Sequence, residues 1–302
     1  MTDPLLDLLR AERLDPPTRV HDIMAAIRGR HPDRVLGFVY YGSSLRDLDD
    51  PEKMLDFYVL VDSYRATHGW GWRALTNQLI PPAVYYIEQD VGGVLSTCKY
   101  SIITLGEFER RCSTGFLSQL WGRFSQPCAL LGAETSDIED RIAQARANAV
   151  RKLASETAPL FNSPATSAEF WGRGFFESYR TELRPESDDG RAKEIVARYE
   201  ARYDQLSESL FERSEDGRFN VQKFEGSGSS FRWWLRRLIG RPIAAIRVIN
   251  SAATFDGGLD YVLRKVERHS GVSIEVTDAQ RRHPVLWSPV LGWKLWRRGA
   301  FG

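Results

Sequence analysis

Apolar positions along the chain change period several times, and each change predicts an element. Residues 4–14 form a short amphipathic segment that Asp15-Pro16-Pro17 breaks, because proline fixes its own φ and restricts the residue before it. Val20, Ile23, Met24 and Ile27 then recur at i, i+3, i+4 and i+7, the spacing of one helical face. Residues 38–41 and 55–61 are runs of β-branched and aromatic side chains and predict neighbouring strands. A Ser/Gly/Trp-rich loop follows, then a helix over about 72–79 closed by Pro81-Pro82. Residues 83–88 and 98–104 predict two more strands, with Gly92-Gly93 between them.

The second half is mostly helical in period. Residues 106–120 predict a helix, followed by Trp121-Gly122-Arg123 and a short apolar run over 128–131. A long helix over 137–158 carries Ile138, Ile142, Ala145, Ala149 and Leu153, with Arg146, Arg151 and Lys152 on a basic side. Further helices are predicted over 163–179 and 191–212, the second dense in charge, with a loop over 185–190. Residues 226–230, Gly-Ser-Gly-Ser-Ser, read as a flexible joint. Beyond it lie F-R-W-W-L-R-R-L-I-G-R, helical stretches over 243–253 and up to about 270 around a Gly257-Gly258 turn, and a tail rich in Trp and Arg.

Composition narrows the classes. The 302 residues allow two domains and a sizeable core, and 42% hydrophobic with 27% charged residues is ordinary for a globular protein. A net charge of +1 gives no global field that calls for nucleic acid. Cys98, Cys112 and Cys128 are odd in number and lack metal-ligand spacing, so reduced, buried thiols are expected. No apolar run reaches the ~18 residues needed to cross a bilayer, and no leader opens the chain, so a cytoplasmic protein is expected.

The candidate chemistry sits between the first two strands. Gly42-Ser43-Ser44 follows the first, and Asp56 stands at the start of the second. Such a turn offers N–H groups and hydroxyls to a triphosphate, while the acid holds the magnesium that bridges its phosphates. That is the nucleotidyltransferase arrangement of the polymerase-β type. Sites of this type usually place two acids at i and i+2, but Met54 and Tyr58 flank Asp56 here, so a second ligand must come from elsewhere. Glu182 is the first candidate and Glu88 stands behind it. Asp62 shares a face with Asp56 but lies ~20 Å along an extended strand, too far to share an ion. It is expected to shape the loop bearing His68. Lys99 lies on a predicted strand, where a phosphate partner would offset the cost of burying its charge. His21 and His31 are isolated and read as surface residues.

Residues 41–128 resemble the mitochondrial-type phosphatidate cytidylyltransferases, the peripheral CDP-diacylglycerol synthases also described as translocator assembly and maintenance proteins. The resemblance rests on Y-G-S-S, M-L-D-F-Y-V-L-V-D with His68 soon after, A-V-Y-Y, K-Y-S-I-I-T and W-G-R-F-S-Q-P, in that order. It continues through R-A-N-A-V-R-K-L-A and F-F-E-S-Y-R-T-E-L-R, and so spans roughly 37–185. Two positions depart from the family. Ser44 stands where the family has a glycine, and Thr181-Glu182 replaces a Gly-Asp pair in its second domain. Beyond about 225 the similarity is loose, as expected of a bacterial branch.

The resemblance implies an α+β protein. A polymerase-β-like nucleotidyltransferase domain with a mixed sheet would occupy 1–135, and a mainly helical, winged-helix-like domain 136–225. A C-terminal basic, Trp-rich amphipathic region, 226–302, would associate with membrane. It further implies that Gly42, Ser43, Ser44 and Lys99 hold CTP, that Asp56 and Glu182 hold Mg²⁺, and that Arg123 clamps a phosphate. A phosphatidic acid, or another anionic lipid, would be the acceptor, and His68 would help to hold it. Mixed charge on the helical region argues against nucleic acid as a partner. The tail carries Arg281, Arg282, Lys294, Arg297 and Arg298 with Trp287, Trp293 and Trp296 and no acid, the composition of a segment lying in a membrane interface on the cytoplasmic side. Pro289 and Gly292 argue against one uninterrupted helix there. Two other readings stay open: transfer to a different phosphorylated acceptor, soluble or lipid, and a nucleotide-binding relative without catalysis.

Overall fold

Two runs of large apolar side chains become strands, in a computed structural model that describes residues 3–12, 14–48, 50, 53–69, 83–91, 94–182, 189–251, 259, 263, 266–267, 270–282 and 284–300. Val35–Tyr41 (β1) and Leu55–Val61 (β2) are buried at nearly every position rather than at alternate ones, as expected of strands covered on both faces. Ala83–Val91 (β3) and Val94–Thr104 (β4) pair antiparallel, Ala83 opposite Ile102 and Val91 opposite Val94. Both outrun the predicted spans because their outer ends carry Asp90 and Leu95, which are exposed, and backbone pairing does not need apolar side chains. With Ala129–Leu131 (β5) they form a five-stranded mixed sheet in the order β3-β4-β2-β1-β5, within an α+β chain. The helix predicted over 72–79 lies outside the described residues.

The chain divides into two compact units, and the division passes through β1. The first comprises Met1–Asp15, Leu36–Val39 and Thr104–Gly240. It contains Pro4–Ala11 (α1) and, further on, Leu105–Thr114 (α5), Gln119–Phe124 (α6), Ser136–Thr157 (α7), Ser167–Tyr179 (α8), Gly190–Arg198 (α9) and Glu200–Leu210 (α10). The long α7 is its spine. Ala143, Ala145, Ala147, Ala149 and Ala154 are buried along it, and their small side chains let α1, α5, α6 and α8 approach closely. The helix expected over 106–120 ends at Gly115, where any Cβ would stand 2.5 Å from the Arg111 carbonyl oxygen. The helix expected over 191–212 breaks at Tyr199 (φ −123°, ψ 37°). Buried Val196 and Tyr203 lie seven residues apart across that break, so the apolar period passes through it unmarked.

Two buried charge clusters hold this unit. Glu12 takes ion pairs from both Arg146, which is 1% exposed, and Arg202. Burial pushes the Glu12 carboxyl up, but the two guanidinium charges overcome it and hold the acid below its ordinary range. Glu156, at the end of α7, is fully buried and meets Lys152 at 2.8 Å, Arg236 at 2.7 Å and Arg232 at 3.1 Å. Arg236 lies over the rings of Phe116, Trp121 and Trp233 at 5.1, 5.3 and 4.8 Å, and its Nε donates to the Phe116 carbonyl at 2.7 Å. Residues 226–230 are no loose joint. The Gly228 N–H donates to the Ser155 carbonyl at 3.2 Å, and the Trp233 indole donates to the Glu156 carbonyl at 2.9 Å.

The second unit comprises Pro16–Val35, Tyr40–Ile103 and Arg241–Gly302. Its Thr18–Arg30 helix (α2) buries Val20, Ile23, Met24 and Ile27, the predicted stripe. Ser43–Arg46 (α3) and Tyr64–His68 (α4) are short. Toward the C-terminus lie Asp278–Arg282 (α12) and Pro284–Arg297 (α13), and Leu291 of α13 is buried with Leu259 in a small core among Leu263, Val266, Ile274 and Val276. Helix α13 runs through Pro289 and Gly292 without a break, against expectation: proline removes one backbone bond and the helix tolerates it. A single helix, Ser230–Ser251 (α11), crosses the division at Gly240 and contains Pro242. Among the described residues no helix is long and apolar enough to cross a membrane.

Candidate functional site

In the second unit Gly42 caps α3 immediately after β1, and Asp56 is the second residue of β2. Gly42 has φ +96°, a backbone that side-chain-bearing residues rarely adopt. A Cβ built on it would lie 2.8 Å from Asp56 Oδ2, so the missing side chain is also what admits the carboxylate. Tyr40 stacks on Phe57 at 5.0 Å and Tyr41 lies against Tyr58 at 5.4 Å, which anchors the residues on both sides of this corner. Ser43 is partly exposed. Ser44 is fully buried, so of the two hydroxyls only that of Ser43 is open to a ligand. Burial raises the Cys98 thiol well above its usual range, and the negative charge of Asp56 adds to the effect. Cys112 and Cys128 are buried too, and all three thiols are free.

Lys99 is half-buried on β4, opposite Tyr86 in register and on the other face of the strand from Cys98. Glu88 is exposed and accepts from the Tyr86 hydroxyl at 2.7 Å, the behaviour of a solvated surface acid. Glu182 and Arg123 belong to the first unit, where they form an ion pair at 3.7 Å. Beside them Thr181 Oγ1 and Ser118 Oγ share a buried hydrogen bond of 2.7 Å. The site residues therefore gather as two constellations, Gly42–Ser43–Asp56 in one unit and Arg123–Glu182 in the other.

His31 is a correction. It is half-buried rather than a surface residue, with its Nε2 3.2 Å from the Tyr100 hydroxyl. Its ring lies 6.5 Å from that of His68 and 6.1 Å from that of Tyr85. Tyr85 stacks on Tyr100 at 5.3 Å, and its hydroxyl is 3.2 Å from His68 Nδ1. Burial lowers the proton affinity of His31, and the neighbouring Arg30 lowers it further, so the ring is neutral at pH 7. Sequence reasoning missed this cluster, although its signal was present: His31 follows Ile27 by four residues and caps the C-terminal end of α2. Asp62 pairs with Arg34 at 3.0 Å and accepts from the Ser63 N–H at 2.8 Å, which fixes the entry into α4 and its terminal His68.

Among the described residues no group of three or more His, Cys, Asp or Glu side chains could hold a metal ion by itself. Magnesium does not need such a cage. It is commonly held by one or two carboxylates together with substrate phosphates, and Asp56 beside an open glycine turn is compatible with that mode. No family model matches the chain, and no curated protein matches it significantly.

Proposed function

We propose that the protein is a CTP-dependent phosphatidate cytidylyltransferase, a nucleotidyltransferase that forms CDP-diacylglycerol and pyrophosphate at a membrane surface. The observation that carries this reading is the corner in which positive-φ Gly42 makes room for Asp56, next to the partly exposed Ser43. The Gly42–Ser43 turn presents N–H groups and a hydroxyl to the triphosphate of CTP, and Lys99 supplies positive charge. Asp56 is the carboxylate that would hold Mg²⁺ together with the phosphates of the nucleotide, and the ion would neutralise phosphate charge there. Arg123 orients a phosphate group. An oxygen of the lipid phosphate attacks the α-phosphorus in line, one P–O bond forms, and the bond to the departing pyrophosphate breaks. Positioning and charge neutralisation suffice for such chemistry.

Exposed rings on the last helix support a peripheral place on a membrane. Trp293 and Trp296 are 54% and 66% exposed, while Leu291 and Leu295 turn inward. The deciding measurement is pyrophosphate release from CTP with phosphatidic acid vesicles and Mg²⁺, against the other three nucleotides. Release that requires both CTP and lipid supports the reading; release with a soluble phosphate ester instead moves the acceptor and keeps the chemistry. Met54 and Tyr58, standing at the i−2 and i+2 positions from Asp56 where a second acid would be usual, favour one other reading, a nucleotide-binding relative without turnover, which would bind Mg-CTP and release nothing.

A further inference from the structure

One side chain ties both ends of the segment that leads to Asp56. Arg19 stands in the first turn of α2, next to fully buried Val20, which fixes its backbone on the core. Its Nη2 donates to the Leu48 carbonyl at 3.2 Å and its Nη1 to the Lys53 carbonyl at 3.4 Å. Both carbonyls belong to the connection over 47–54, which leaves α3 and enters β2, and Lys53 comes three residues before Asp56. A rigid guanidinium fork suits two fixed acceptors better than an ammonium does. Within the connection the Asp50 and Lys53 N–H groups donate to the Asp47 and Asp50 carbonyls, and Lys53 Nζ pairs with Asp47 and, at 3.8 Å, with Asp50. Helix α3 packs against β2, so Gly42 and Asp56 lie at the two ends of one braced loop. The first turn of a helix favours acids and disfavours cations, and α2 has no acid there. Arg19 is thus placed against the dipole of its own helix, and the gain lies in the two carbonyls that it reaches.

We propose that Arg19 is a positioning residue: its fork holds the α3–β2 connection and so sets the Asp56 carboxylate against the Gly42 turn for a divalent metal bound with the nucleotide. The inference rests on the nucleotidyltransferase reading and deepens it. Asp56 is only the second residue of its strand, so the course of the chain just before it decides where the carboxylate falls. Loss of the fork therefore acts on the metal–phosphate end of CTP and spares the base and ribose. Arg28 supplies the control. It lies on the same helix, and its Nη1 donates to the Val35 carbonyl at 3.1 Å, at the opposite end of β1 from Gly42.

The test uses the full chain and its Arg19→Gln, Arg19→Lys and Arg28→Gln variants. Mn²⁺ binding with saturating CTP is followed by electron paramagnetic resonance, pyrophosphate release gives kcat and KM, and thermal unfolding reports the fold. Arg19→Gln is expected to weaken Mn²⁺ binding about 10-fold, the lower end of the scale for groups that orient a metal ligand. The value of kcat should fall similarly, while KM for CTP should change less than about 2-fold. Arg19→Lys keeps the charge but reaches one carbonyl at a time, so it should fall between wild type and Arg19→Gln. Arg28→Gln loses the same kind of bond and should leave Mn²⁺ binding unchanged. If Arg19→Gln does not fold, the comparison of Arg19→Lys with Arg28→Gln decides. Unchanged Mn²⁺ binding in the Arg19 variants, equal losses in Arg28→Gln, or losses that track a falling Tm would overturn the proposal and leave the nucleotidyltransferase reading intact. A wild-type protein that binds no Mn²⁺·CTP would sink both. Should the wild type bind the complex without turnover, the Mn²⁺ comparison alone decides.

Discussion

Asp56 Oδ2 occupies the space into which a side chain on Gly42 would project, 2.8 Å from the ideal Cβ position. Gly42→Ala is therefore refused twice, by φ +96° and by the carboxylate. The expected outcome is a shifted acid rather than an unfolded protein, because the corner lies at the end of a strand. Misplacement on the 1 Å scale costs catalysis about 10²-fold, so pyrophosphate release should drop by that order while Tm falls by only a few degrees. Asp56→Asn keeps the shape and removes the charge. It should abolish release and leave Tm unchanged, and surviving activity in that variant would show that the site lies elsewhere.

Local pattern made the strands and most helices legible, since Val20, Ile23, Met24 and Ile27, or the runs over 38–41 and 55–61, each show their character within a few residues, although the first strand begins three residues earlier than its run, at Val35. The Gly42–Asp56 corner was also legible, because a Gly-Ser turn and a strand acid are local chemical signals. Contacts between distant positions were not. Nothing near His31 announces Tyr100, and nothing near Glu12 announces Arg146 and Arg202. The arginines of F-R-W-W-L-R-R-L-I-G-R read as a basic surface, yet Arg232 and Arg236 turn to Glu156, and Arg237 meets Glu177 at 2.7 Å. A linear sequence does not show which face of a helix finds a buried acid.

Glu156 gives the fold an acid-sensitive contribution. Burial pushes its carboxyl up, but the hydrogen bonds and charges of Arg236 and Lys152 outweigh that and hold it at about 2, against 4.5 for the free group. A folded-state value below the unfolded one stabilises fully above the unfolded value and is lost as pH falls through the interval, here from about 4.5 towards about 2. The contribution is on the order of 3 kcal/mol, since each unit is worth about 1.4 kcal/mol. Urea unfolding of the wild type should therefore weaken steadily below pH 5. Glu156→Gln should be less stable than wild type at pH 7, by about 3–5 kcal/mol because it strands buried Arg236, with the gap closing towards pH 3. A constant gap across that range would contradict the assignment.

Gly228 tests whether residues 226–230 are fixed. A Cβ there would stand 2.0 Å from the Glu156 carbonyl oxygen, a backbone atom that cannot swing aside. In a loose joint Gly228→Ala would be neutral or slightly stabilising, by about 0.4–1 kcal/mol through the unfolded chain. The docked segment predicts the reverse: lower resistance to urea and faster proteolysis between Phe224 and Ser230. Gly217→Ala, in an exposed turn with nothing within 4 Å but φ +79°, is the control for backbone strain without a clash.

Lipid binding should depend on the last helix more than on the arginines of α11. Trp293 and Trp296 are exposed, Arg297 lies 5.2 Å over the Trp293 ring, and Lys294 and Arg298 flank them. Each basic side chain near an anionic surface is worth roughly 1 kcal/mol, and that attraction is screened beyond about 8 Å at physiological salt. Ring insertion is not screened. Flotation with vesicles containing phosphatidic acid should then show two separable effects. Lys294→Glu with Arg297→Glu should remove the salt-sensitive part of binding, so that binding at low salt falls to the level seen at high salt. Trp293→Ala with Trp296→Ala should remove the part that survives high salt, with Tm unchanged because neither ring is in the core. Arg236→Ala, by contrast, should lower Tm through Glu156 and leave salt-resistant binding of the folded fraction intact. Binding that depended on Arg236 but not on Trp293 and Trp296 would shift the membrane contact away from the last helix.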